Sequence, residues 1–175
     1  MSLQKFIGNI NRIGGLAKTN RFKVLIVIPS ALSISGINAE ELSLMCETAE
    51  LPGKTLQTAE AKIYGPTYKI PYQKQFQDIS LTFLCSNLGI ERNFFDSWID
   101  YIMPSSTNNI KFRDRYETTI QILHLTESDS TIRKVILRDA FPIGYASQQL
   151  NWGDDGFQRL TVQFAYHDFF QTVGT

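Results

Sequence analysis

Apolar and polar residues alternate along this chain in short runs bounded by glycine, proline and small polar residues, the period of two that belongs to β-strands. In FKVLIVIP, Phe22, Val24, Ile26 and Ile28 point to one side while Leu25 and Val27 face the other, which predicts a strand buried on both faces and ended by Pro29. A polar, serine-rich stretch leads to LSLMCET, where Leu42, Leu44 and Cys46 alternate with Ser43, Met45 and Glu47. A second strand is expected there, broken at Leu51-Pro52-Gly53. Residues 54–77 start with threonine-rich alternation and then carry Gly65-Pro66 and Ile70-Pro71. Those prolines have no amide proton for a ladder, so a projecting hairpin or loop fits better than a central strand. Residues 78–85 put Ile79, Leu81, Phe83 and Cys85 on one face and Ser80 and Thr82 on the other, a half-buried antiparallel strand.

One segment leaves the period of two. In IERNFFDSWIDYIM, Phe94, Trp98 and Ile102 recur every four residues with Phe95 and Ile99 beside them, the apolar stripe of a helix lying against a sheet. Asn87 suits its start, Glu91 the positive end of its dipole, and Pro104 follows its end. A Phe/Trp stripe at this spacing reads as packing rather than as a ligand platform. Residues 117–125 and 132–138 are strand-like and flank TESDST, a hairpin turn. After Ala140-Phe141-Pro142 the pattern predicts a short strand, YASQQLNW, then a Gly-Asp-Asp-Gly turn at 153–156 whose Asp-Gly pair accepts positive φ. Leu160, Val162, Phe164 and Tyr166 then alternate with Thr161, Gln163, Ala165 and His167 in a C-terminal hairpin.

Residues 1–20, with Gly8, Gly14 and Gly15, read as an N-terminal arm with one weak helical turn. That leaves 21–175 as a single domain with an extended hairpin or loop at about 51–77. Roughly eight strands, short turns and one helix define the expected fold class as mainly β, an antiparallel β-sandwich or barrel with one flanking α-helix. Its expected core is Phe22, Val24, Ile26, Leu81, Phe83, Phe94, Trp98, Ile102, Trp152, Val162 and Phe164.

Composition narrows the partners. With 175 residues, 43% of them hydrophobic and 19% charged, the chain has the core-forming capacity of one folded domain. Seventeen basic against seventeen acidic residues leave no cationic excess, which argues against a dedicated nucleic-acid binder and leaves self-association electrostatically unopposed. The longest apolar run, residues 24–28, is far shorter than the roughly 18 residues of a membrane-spanning helix. No apolar export segment opens the sequence, so folding in a cytoplasm is expected. Cys46 and Cys85 form no CxxC pair and read as buried thiols.

Reactive constellations are sparse. His124 and His167 both fall in strand-like segments, and no GxSxG elbow accompanies them. Asp154-Asp155 is explained by turn chemistry better than by a cation, and no HExxH or EF-hand spacing is present. The glycines of NRIGG and GDDG match no phosphate-binding fingerprint. Lys111, Arg113 and Arg115 with Phe112 and Tyr116 suggest a stacking surface for nucleic acid, but Asp114 and Glu117 interrupt it, and a solvated loop or subunit contact is the preferred reading. No catalytic residue, cofactor or metal site is expected.

The order of segments carries more. FKV at residue 22 is followed by MCETAELPGKTLQT, by FQDISLTFLC, by FFDSWIDYI, and by IRKVILRDAFPIGYASQQLNW and FQRLTVQFAYHDF. Together these resemble the tail tube proteins of contractile-tailed bacteriophages over residues 20–170. The most specific parts are Ala49-x-Leu51-Pro52-Gly53, the run Phe76, Asp78, Ser80, Phe83, and Phe141-Pro142 followed by Leu150-x-Trp152. Asn151 and Gly153 beside Trp152 depart from that family's LDWD-like ending.

The resemblance implies a structural subunit, not an enzyme: a β-sandwich with a flanking helix, six copies to a ring, and rings stacked into a hollow tube inside a contractile sheath. Edge strands joined between copies would close a ring-wide inner β-barrel. The implied partners are further copies, sheath protein, baseplate and tail-terminator proteins. DNA would pass the lumen without specific binding, and the implied place is the virion tail after assembly in the host cytoplasm. Candidate subunit or ring contacts are Leu51, Pro52, Gly53, Thr55, Gln57, Tyr64, Pro66, Tyr68, Pro71 and Tyr72. A baseplate or tube-terminating protein of the same fold, a small-molecule-binding β-barrel, and a catalyst hidden on loops remain alternatives.

Overall fold

Strand β5 (Ile79–Leu84) turns sequence alternation into a layer: Ile79, Leu81 and Phe83 are buried, and Ser80, Thr82 and Leu84 are half-buried. The computed structural model describes all residues except 1–2, 13–14, 31, 33–37, 63, 154 and 174–175. Among the described residues the remaining elements are α1 (Leu3–Arg12), β1 (Phe22–Ile26), α2 (Ala39–Leu44), β2 (Cys46–Ala49), β3 (Lys54–Ala61), β4 (Tyr68–Phe76), α3 (Ile90–Ile102), α4 (Arg113–Tyr116), β6 (Thr118–Leu125), β7 (Thr131–Tyr145), β8 (Arg159–Ala165) and β9 (Asp168–Val173). Seven strands form an antiparallel sheet in the order β1-β6-β7-β8-β5-β2, with β9 added on β7, while β3 and β4 pair only with each other.

The long strand β7 organises the sheet. Its residues Arg133 to Arg138 pair with β9, those up to Ala140 pair with β6, and Phe141 to Tyr145 pair with β8. Where the partners change, Asp139 takes φ 53°, and a register shift follows between Pro142 and Gly144. Such irregularities bend a strand and raise its local twist, which lets one strand serve two halves of a sheet.

A single hydrophobic cluster draws on both halves: Val24, Ile26, Ile120, Ile122, Val135 and Leu137 from one, Leu81, Phe83, Leu160, Val162 and Phe164 from the other. Helix α3 lays Phe94, Phe95 and Trp98 on it, with Trp98 edge-on to Phe94 at 5.7 Å and to Phe164 at 6.3 Å between ring centroids. The buried Trp98 Nε1–H donates to the Tyr116 carbonyl at 3.1 Å, so its one polar group is satisfied. Glu91, buried in the first turn, accepts from the Ser86 amide at 3.0 Å and the Ser86 hydroxyl at 2.8 Å. Phe22 and Ile102 are half-buried at the edge of the cluster.

Several expectations need correction. The sheet is antiparallel but does not close into a barrel, because β1 and β2 are its ends. Residues 39–44 are helical, not a strand: Asn38 and Glu41 form a capping box, and only Leu42 and Ser43 of that turn are buried. The arm holds a ten-residue helix rather than one weak turn. Gly89, in the left-handed region at φ 62°, precedes α3 where Asn87 was expected to. The strand expected at YASQQLNW does not form, since β7 runs unbroken through Pro142 to Tyr145 and residues 146–152 are irregular. The C-terminal hairpin forms between β7 and β8, joined by a long loop that includes 153–156 rather than by a tight turn, with Asp154 outside the described residues. Strand β1 is buried on one face only, with Val27 half exposed just beyond its end. Trp152 is fully exposed on that loop, because nothing in a single chain packs over it.

Candidate assembly surface

The β3–β4 hairpin stands apart from the core. Its base is fixed: Pro52 is buried, Phe76 meets the Phe169 ring edge-on at 5.5 Å, and the Lys54 ammonium lies 4.4 Å from the Phe169 centroid. Beyond the base, Thr55 and Gln57 on β3, Tyr68, Pro71 and Tyr72 on β4, and Tyr64 and Pro66 in the turn are all exposed. Pro71 is tolerated opposite Thr58 because the register shifts between Gln57 and Thr58, and because a two-stranded ribbon leaves one side of each strand unpaired. At that irregularity the Tyr72 hydroxyl donates to Gln57 Oε1 at 3.0 Å, and Gln57 Nε2 donates to Gln75. Nearer the tip, Ala59 faces Ile70, Ala61 faces Tyr68, and Glu60 faces Lys69. Large apolar side chains are left in water, with Leu56, Tyr68, Ile70 and Tyr72 each more than half exposed.

A second opening lies between the two ends of the sheet. Phe22, Ile122, Ala49 and the half-exposed Leu51 line a mainly apolar groove of about 380 Å³ between β1 and β2, with Glu47 and His124 at its polar edge. Leu51 thus belongs to this groove rather than to the hairpin, and Gly53 is exposed at the junction. Periodicity did not point to the groove, which is defined by what fails to cover it. A third apolar surface is the β7–β8 loop, where Leu150, Trp152 and Phe157 are exposed together.

Ion pairs tie the rim of the sheet. Arg159 donates twice to Glu47, at 2.6 and 2.9 Å, and Arg138 donates twice to Asp168, joining β7 to β9. Hydrogen bonding from Arg159 holds the Glu47 carboxyl below its usual range, and hydrogen bonding from Arg138 does the same for Asp168. Burial pushes the half-buried Cys46 thiol up to about 12, which removes its nucleophilic form at neutral pH. His124 Nε2 is bonded to the Lys18 carbonyl at 2.9 Å, and His167 sits in the β8–β9 connection, so neither imidazole flanks a nucleophile in these contacts. No group of three or more potential metal ligands occurs among the described residues. Arg113 is paired with Glu117, and Phe112 beside it is exposed.

Open sheet ends, a projecting ribbon and exposed apolar tips define a class: β subunits with surfaces suited to association. The chain belongs to the phage tail tube protein family, whose sequence profile matches residues 17–172. It is 23% identical over 174 residues to the tail tube protein of Serratia phage KSP90, covering 98% of this chain and 96% of that one. Its fold matches a chain in the six-fold symmetrised baseplate of the anti-feeding prophage with TM-score 0.69 and 15% identity, over 91% of this chain and 97% of that one. It also matches a chain of the sheath–tube complex of an extracellular contractile injection system in the extended state, with TM-score 0.62 and 13% identity, over 99% of both. The family is structural rather than enzymatic, and its members are components of phage tails.

Proposed function

We propose that this chain is the repeating subunit of a contractile tail tube, assembling as hexameric rings that stack into a hollow conduit for DNA delivery. The observation that carries the reading is the pair of sheet ends, β1 and β2, unpaired on their outer sides among the described residues, together with a ribbon exposed on both faces. Free backbone groups and exposed apolar side chains along such edges invite pairing, and cyclic closure between copies satisfies them without leaving an end. The domain then comprises 21–175, the arm 1–20, and the hairpin with its flanks at 51–77 contributes contacts between subunits or rings. Partners on this reading are the sheath outside the tube and the baseplate and terminator at its ends. Assembly takes place in the host cytoplasm.

A conduit must release its cargo, and every phosphate neutralised by Lys or Arg strengthens retention. Equal numbers of acidic and basic residues support a lumen without dense positive charge. The carrier alternative needs an enclosed apolar chamber; here the interior is filled by α3 and the sheet core, and the apolar groove opens at the sheet ends. Negative-stain microscopy of concentrated protein tests the proposal: six-fold rings or hollow tubes are expected, and small uniform monomers under every condition overturn it.

A further inference from the structure

Helix α1 carries Leu3, Phe6, Ile7 and Ile10 at spacings of three and four, so they share one face. That face is uncovered: Leu3 is 73% exposed, Phe6 52% and Ile7 48%, and no described side chain of the helix is buried. A ten-residue helix with a central glycine is marginal in water unless an apolar partner covers it. The same molecule leaves an apolar groove open between β1 and β2, and Thr19 and Asn20, which lead from the arm, lie on its wall. The arm therefore joins the domain at the groove's edge, and no described residue of α1 lines the groove.

Charge complements shape. Residues 1–39 contain Lys5, Arg12, Lys18, Arg21 and Lys23 and no acidic residue, whereas residues 40–60 contain Glu40, Glu41, Glu47, Glu50 and Glu60 against Lys54 alone. Lys18 and Arg21 are paired with Glu127 and Asp129 in the same chain, but Lys5 and Arg12 on α1 make no ion pair among the described residues. The acidic stretch forms α2 and β2: Glu47 of β2 lines the groove and is paired with Arg159, while Glu40, Glu41 and Glu50 make no ion pair among the described residues. An apolar, basic helix and an apolar groove beside a stretch with an acidic excess thus stand uncovered on one subunit among the described residues.

We infer that the apolar face of α1 from one copy seats in the groove between β1 and β2 of a neighbouring copy, with Lys5 and Arg12 toward the acidic α2–β2 border. This rests on the tube reading, because only a repeating assembly holds a second copy in fixed register. The exchange links neighbours through an arm as well as through sheet edges, and it covers both uncovered surfaces with the same contact.

Two chains decide it, each in a Cys46→Ala, Cys85→Ala background: one with Ile7→Cys, the other with Leu51→Cys. They are mixed, assembled and oxidised. A covalent dimer joining the two different chains, formed in the mixture and faster in assembled than in dilute protein, is the expected result. If rings or tubes form and the mixture stays uncrosslinked, while a doubly substituted chain closes on itself, the exchange is overturned and the tube reading survives. If no assembly forms from the unsubstituted protein at any concentration, the tube reading itself fails and takes this inference with it. A second variant needs no cysteines: Phe6→Asp with Ile7→Asp should leave the monomer's melting temperature unchanged and raise the assembly threshold at least about tenfold. An unchanged threshold contradicts the inference.

Discussion

The seven-stranded sheet and the β3–β4 hairpin are both antiparallel β structure, yet β5, β6, β7 and β8 of the sheet bury alternate residues and the hairpin buries almost nothing. In the sheet, alternate residues meet α3 and the opposite half of the same fold. In the hairpin, Leu56, Tyr68, Ile70 and Tyr72 have no second layer to meet. Two-stranded ribbons are at best marginal without a hydrophobic surface to lie on. On the proposed assembly, folding of the subunit and completion of the hairpin are separable, the first resting on the chain's own core and the second on neighbouring copies.

The largest effect on folding is expected at the centre of the sheet side. Trp98→Ala removes a fully buried ring in edge contact with Phe94 and Phe164 and also leaves the Tyr116 carbonyl without its donor. It should cost about 3–5 kcal/mol in urea unfolding and leave little folded subunit for assembly. Glu91→Ala comes next, since it strips the acceptor from the Ser86 amide and hydroxyl at the start of α3. A loss of about 1–3 kcal/mol is expected by the same measurement.

On the hairpin the order of consequences reverses. Tyr68→Asp with Ile70→Asp should move unfolding stability by no more than about 0.5 kcal/mol, as for exposed positions generally, while abolishing rings and tubes in the microscope. If that double variant unfolds the subunit, the two regions are not separable.

The smallest effects are at ionisable groups of the rim. Hydrogen bonding from Arg138 sets the Asp168 carboxyl below its ordinary 3.8, so the stabilisation it gives is present above that value and is lost as pH falls through the lower folded one. Melting temperature measured into acid should therefore fall less steeply for Asp168→Asn than for the unsubstituted chain. Cys46 runs the other way: its thiol is raised from 9.0 to about 12, so stabilisation is full below 9 and declines as pH rises toward 12. Iodoacetamide should leave Cys46 unlabelled in folded protein at pH 8 and label it on unfolding in urea.

Strands were readable wherever one face is buried by the chain itself. Ile79, Leu81 and Phe83, or Leu160, Val162 and Phe164, alternate with polar residues because the core demands it. Residues 42–46 misled because the alternation is too short to fix a period: Leu42 is buried and Leu44 exposed on α2, while Cys46 already opens β2. The separation of Asn38 and Glu41 by three, a capping-box spacing, was the signal that favours helix there. Pro142 concealed the continuity of β7, since a proline within a strand ordinarily marks an end, whereas here it lies at a bend with the register shift beside it. Trp152 was assigned to the core on hydrophobicity alone, which does not distinguish a residue buried by its own chain from one left exposed. For the same reason the groove was not legible in the sequence, whereas the apolar face of α1 is written in the spacing of Leu3, Phe6, Ile7 and Ile10, and the projecting ribbon in Pro66 and Pro71.

Amide hydrogen exchange compared between dilute subunits and sedimented assemblies tests the separation of folding from completion most directly. Amides of β3, β4 and the unpaired sides of β1 and β2 should exchange quickly in the free subunit and become strongly protected on assembly, while those of β5, β6 and β8 are protected in both. Assemblies whose hairpin amides exchange as fast as those of the free subunit would contradict the account.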